Sequence, residues 1–155
     1  MDIGYIFDDG GRVESGRTSH GLVDCVVRAL AIGCYEVYAD VYAELYDMGW
    51  RTTIKAERIA CGLAYRSGVL TQRKGSRRLE DEYLIVRRGW AWTPTMHIGS
   101  GCTVHLGPDP LPDRCIVRLS CHLAAIIGGV VHDNHDPRRG GTRCVYGYWH
   151  LPATA

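Results

Sequence analysis

The chain has 155 residues, with Lys+Arg 18 against Asp+Glu 17 and a formal net charge of +1. That is long enough for one buried core and too neutral to attract nucleic acid. No apolar run approaches the ~18 residues of a membrane span, and the acidic start "MDIGYIFDDGG" lacks the charged-then-apolar plan of an export signal.

These features set the expectation of a single domain over 1–155, cytoplasmic, with no nucleic-acid and no membrane partner. Seven cysteines (Cys25, Cys34, Cys61, Cys102, Cys115, Cys121, Cys144) form no Cys-x-x-Cys pair. In a chain without an export signal they read as small buried hydrophobes rather than a disulfide framework.

Residues 1–23 are Gly-rich and polar, and little regular structure is expected there. "DCVVRALAI" turns helical, with Val26, Ala29 and Leu30 recurring at helical spacing, Asp24 as a candidate cap and Gly33 as the stop. "YEVYADVYAELYDMG" gives a second helix with Val37, Val41 and Leu45 on one stripe, ending at Gly49. "KAERIACGLAYRSG" allows a third, and "RRLEDEYLIVRRGWAW" reads as a helix followed by a strand from Trp90. The Arg-rich stretches "RKGSRR" and "DPRRGGTR" read as solvated loops. "CIVRLS", "HLAAII", "VVHD" and "CVYGYW" read as an antiparallel sheet, so helices precede strands in an α+β order.

"SCHLAAIIGGVVHDNHDP" carries the chemistry. Gly128-Gly129 between two apolar runs specifies a two-residue hairpin turn. In that register His122 opposes His135, Ala124 opposes Asp133 and Ile126 opposes Val131. Alternation then sets His122, Asp133 and His135 on one face and His132 on the other. His122 and Asp133 become diagonal neighbours, with Cβ atoms roughly 5.5–8 Å apart, within reach of a His–carboxylate hydrogen bond. Asp136, followed by Pro137, is the competing carboxylate, though a proline there ends the strand.

A His–Asp pair alone is better explained by structure than by catalysis. Cys25 changes the balance, because it stands at a helix start, where unpaired N–H groups and the macrodipole favour a thiolate. Cysteine, then histidine, then a carboxylate is the order of a thiol nucleophile with its base and orienting acid. Metal binding through Cys121, His132 and His135 is the weaker reading, since His132 and His135 fall on opposite faces; no metal and no cofactor are expected.

With those residues in place, the sequence resembles the papain-like cysteine peptidase superfamily, in particular small bacterial and bacteriophage proteins with a "DCVVRALAI" helix. The resemblance lies in that helix and in residues 115–149. It implies an α+β papain-like fold, N-terminal helices with the nucleophile helix packed on a C-terminal antiparallel sheet. It also implies Cys25 as nucleophile, His122 as base and Asp133 as third member, acting on a protein or peptide substrate in the cytoplasm (the host's, if the chain is phage-encoded). The position of the usual oxyanion Gln holds Ser19, so Ser19 and His20 are the oxyanion candidates, and His135 stands where the family often has Trp. Peptidase, deamidase and transferase outcomes stay open, as does a non-catalytic binding module, such as a phage-encoded inhibitor or adaptor, that keeps the fold.

Overall fold

A six-stranded, mostly antiparallel sheet carries the fold in the computed structural model, which describes residues 2–16, 22–48, 53–54 and 79–153. The elements in chain order are β1 (Gly4–Phe7), β2 (Leu22–Val23), α1 (Cys25–Cys34), α2 (Tyr38–Asp47), β3 (Thr53–Ile54) and α3 (Leu79–Asp81). A π-helical turn over Glu82–Val86 continues α3, and then come β4 (Ala91–Pro94), β5 (Arg114–Leu119), β6 (His122–Ile127), β7 (Val130–Asp133) and β8 (Gly147–His150). The sheet order is β1-β7-β6-β5-β8-β4, and β2 pairs with β3 apart from it. β1 runs parallel to β7, whereas the other neighbours are antiparallel. The molecule is therefore α+β. Among the described residues no helix is long and apolar enough to cross a membrane.

The middle of the sheet is buried on both faces, which explains why β5 and β6 read as nearly continuous apolar runs. Leu123, Ala125 and Ile116 face α1 and α2. Val117, Ala124, Ile126 and Val131 face a second cluster with Ile3, Leu106 and Val145. α1 is buried from Cys25 to Gly33, Arg28 included.

Several sequence expectations need correction. The first 23 residues do contain strand: β1 is four residues long, and it pairs with a partner 126 positions away (Gly4 with Val130), so no local pattern announces it. Gly33 lies inside α1, not at its end; the left-handed residue that closes the helix is Tyr35, at φ 58°. Gly33 is needed because a Cβ there would lie 2.6 Å from Cγ1 and Cδ1 of Ile116, where α1 crosses β5. Val37 is exposed and Tyr38 takes its place in the core beside Val41 and Leu45, because the helix starts one residue later than the stripe implies. Asp24 makes no capping hydrogen bond; its carboxylate turns inward instead.

Cys102 and Cys144 are not separate buried thiols but a disulfide, with Cα atoms 5.8 Å apart. The bridge between His105 and Cys144 lays the loop before β5 against the segment before β8 and brings the sulfurs together. Cys115 is buried and Cys34 partly so, as free thiols. The "DPRRGGTR" stretch is only partly solvated, with Pro137 buried and Arg143 half-buried. The third helix expected over "KAERIACGLAYRSG", Cys61, the "RKGSRR" stretch and the Gly49 stop lie outside the described residues.

Candidate active site

The hairpin turn is the two-residue one, with Gly128 at φ 61° and Gly129 at φ 73°, a left-handed pair that only glycine adopts freely. Ile126 pairs with Val131 and Ala125 with His132, the register that puts His122 and Asp133 on one face. His122 opens β6 and Asp133 closes β7, so the pair sits at the end of the ribbon, where the N-terminus of α1 arrives. Nε2 of His122 lies 2.6 Å from Oδ2 of Asp133, with both residues buried.

Cys25, the first residue of α1, stands by the His122 side chain and the Leu123 N–H, and both favour its thiolate. With Nε2 engaged by Asp133, Nδ1 is the ring nitrogen left for the thiol. Burial pushes the Cys25 thiol up, but the His122 hydrogen bond and charge, Arg28 and the Leu123 N–H outweigh it and hold the thiol below its ordinary value. Burial pushes His122 down, yet its bonds to Asp133 and Cys25 raise it from 6.5 to about 9. Burial raises Asp133, and His122, Arg28 and His135 together bring it below 3.8. The ground state these shifts favour is thiolate, imidazolium and carboxylate in a row.

Two elements far from the hairpin steady Asp133, one at its backbone carbonyl and one at its carboxylate. From the N-terminus, Tyr5 donates its hydroxyl to the Asp133 carbonyl at 3.2 Å, and the Asp8 N–H donates to the same oxygen at 2.9 Å. The Asn134 N–H donates to Oδ1 of Asp133 at 2.8 Å. From α1, Arg28 holds Nη2 3.9 Å from that same Oδ1 and Nη1 3.4 Å from Oδ1 of Asp24. Asp24 also accepts from Tyr38 at 2.6 Å and from Arg12 at 3.3 Å. This buried set escaped the sequence reading; the available signal was an arginine inside the apolar run "VVRALAI", four residues after an aspartate.

Asp136 does not reach His122. Its carboxylate is taken by Arg138, at 2.9 Å from Nε and 2.8 Å from Nη2, and Arg138 in turn donates to the Ile3 carbonyl at 2.8 Å. Asp136 thus anchors the loop after β7. Cys121 is exposed in the β5–β6 turn at φ 57°. Ser19 and His20 lie outside the described residues.

His132 points to the other face, with Nδ1 3.0 Å from Oδ2 of Asp8. His135 folds back on His122, their ring centroids 4.9 Å apart. His122, Asp133 and His135 offer ligand atoms within 4.8 Å of one another, the only group of three or more among the described residues that could hold a metal ion. An ion there would need the His122 Nε2 that Asp133 already engages. Its ligands would also have to close from these spacings to bonds of about 2.0–2.2 Å.

No family model, curated protein or solved structure matches this chain. The site is described by its own residues: Cys25 at a helix N-terminus, His122 beside it, and Asp133 hydrogen-bonded to the ring.

Proposed function

We propose that the chain is a cysteine-dependent acyl-transfer enzyme of papain-like architecture, a thiol peptidase or amidase acting on a protein or peptide substrate. The observation that carries this reading is the His122 ring, hydrogen-bonded to the Asp133 carboxylate and set beside the Cys25 thiol, which favours its charged form. The Cys25 thiolate attacks the substrate carbonyl and forms a C–S bond, while the oxyanion draws on the Cys25 N–H. His122 passes its proton to the leaving nitrogen as the C–N bond breaks. Water then attacks the thioester, His122 takes its proton, and the thiolate returns. Asp133 fixes the ring orientation throughout and stabilises the imidazolium. A binding module that merely kept the fold would gain nothing from a thiol held in its charged form.

Brief iodoacetamide treatment at mildly acidic pH, followed by peptide mapping, tests the assignment. Cys25 should be modified before Cys34, Cys115 or Cys121, because a free thiol is almost wholly protonated there. Preferential labelling of any other cysteine would remove the nucleophile from this proposal.

A further inference from the structure

We propose that Arg143 is the substrate-anion contact of this site, and that the substrate is an acidic peptide whose side-chain carboxylate lies beside the scissile bond. The inference rests on the nucleophile reading and adds a substrate class to it.

The placement of Arg143 is fixed by its backbone and its side chain. Its carbonyl accepts from the Leu106 N–H at 2.8 Å and its own N–H donates to the Arg138 carbonyl at 3.3 Å. Nη2 donates to the Ser120 carbonyl at 2.6 Å, so the guanidinium is held against the turn that leads directly into His122. From there its charge reaches Cys25, Cys121, Asp133 and His135. Nε is buried without a hydrogen-bond partner among the described residues, as are those of Arg12, Arg28 and Arg118.

Counter-ions separate Arg143 from its neighbours. Arg12 and Arg28 have Asp24, Arg87 and Arg88 have Glu44, Arg118 has Glu80, and Arg138 has Asp136; Arg114, without an ion pair among the described residues, donates to the Gly33 carbonyl at the C-terminal end of α1. Neither Arg139 nor Arg143 makes an ion pair among the described residues, and the two repel each other. Arg139 is also held in the left-handed region at φ 52°, a conformation that costs a non-glycine residue and concentrates at ligand sites. An unpaired cation held against the turn into His122 suits a carboxylate, which a guanidinium binds through charge-assisted hydrogen bonds.

Iodoacetate and iodoacetamide test this, because both deliver the same carbon to Cys25 and differ only in carboxylate against amide. The readout is the ratio of their alkylation rates at Cys25. Arg143→Gln, which keeps a donor for the Ser120 carbonyl, should lower that ratio about tenfold, the size of one charged hydrogen bond. Arg143→Lys should keep most of it, and Arg87→Gln, remote from the site, should match wild type. In the unmodified protein, the blocked peptide acetyl-Gly-Glu-Gly-amide should slow iodoacetamide labelling of Cys25, and its Gln counterpart should not. An unchanged ratio in Arg143→Gln, an equal drop in Arg87→Gln, or equal protection by the two peptides would each overturn the inference. If Cys25 takes up neither reagent, the nucleophile reading falls and this inference with it.

Discussion

One guanidinium, that of Arg28, stands between two carboxylates: 3.9 Å from Asp133 at the end of the hairpin and 3.4 Å from Asp24 at the start of α1. It ties the helix that carries the thiol to the strand that carries the acid. Arg28→Met should therefore leave two buried carboxylates short of a cation and cost about 3 kcal/mol or more. It should also slow Cys25 alkylation below neutral pH, since Arg28 helps hold the thiol in its charged form. Urea denaturation and alkylation kinetics measure both, and a stability within about 0.5 kcal/mol of wild type would mean the network is idle.

Asp133 and Asp136 separate by function. Asp133→Asn should abolish the fast alkylation of Cys25 at low pH, because an amide cannot hold His122 as imidazolium. Asp136→Asn should keep that fast phase and lose at most a little stability through its exposed Arg138 bond. The opposite pattern would assign the acid to the loop.

The His122–Asp133 pair also sets a pH window. His122 is raised in the folded state, so its contribution is complete below 6.5 and fades as pH rises through about 9. Asp133 is depressed, so its contribution is complete above 3.8 and fades as pH falls through its folded value. The stability difference between wild type and Asp133→Asn should accordingly peak from mildly acidic to neutral pH and shrink on either side. Thermal melts across pH give this directly; a difference flat with pH would mean the pair is not charged.

Gly33→Ala sets two known effects against each other. Ala gains about 1 kcal/mol of helix propensity over Gly, but the added methyl meets the buried Ile116 at 2.6 Å. Overpacking of that kind costs typically 1–3 kcal/mol, so a net loss of up to about 2 kcal/mol is expected. A gain in the urea midpoint would show that α1 can lift from β5 without penalty.

The Cys102–Cys144 link closes a separation of 42 residues, for which loop-closure entropy suggests about 3–4 kcal/mol. Replacing both with Ser should lower stability on that scale and leave Cys25 alkylation unchanged, since neither sulfur borders the triad. Peptide mapping without reductant checks the link itself.

The hairpin was legible because its information is local. Gly128-Gly129 dictates the turn, the turn dictates parity, and parity places His122 beside Asp133. The position of Cys25 was legible for a similar reason, through the apolar run that follows it. What stayed hidden depends on long-range partners. Gly33 reads as a helix stop until Ile116 is known to press on it. Asp24 reads as a cap until Tyr38 and Arg28 claim its carboxylate. The Cys102–Cys144 pair cannot be chosen from seven cysteines by spacing.

The parallel pairing of β1 with β7 has a kinetic consequence. Tyr5 registers with Val131 and Phe7 with Asp133, a contact that spans most of the chain. Contacts so distant in sequence close late and slow the search for the native state. α1 is local and can form early, so during folding Cys25 is placed on its helix before His122 and Asp133 are buttressed by the N-terminus. Until β1 closes, Asp133 lacks the bonds from Tyr5 and from the Asp8 N–H, so the acid at the end of the hairpin should be the last of the three residues to be steadied.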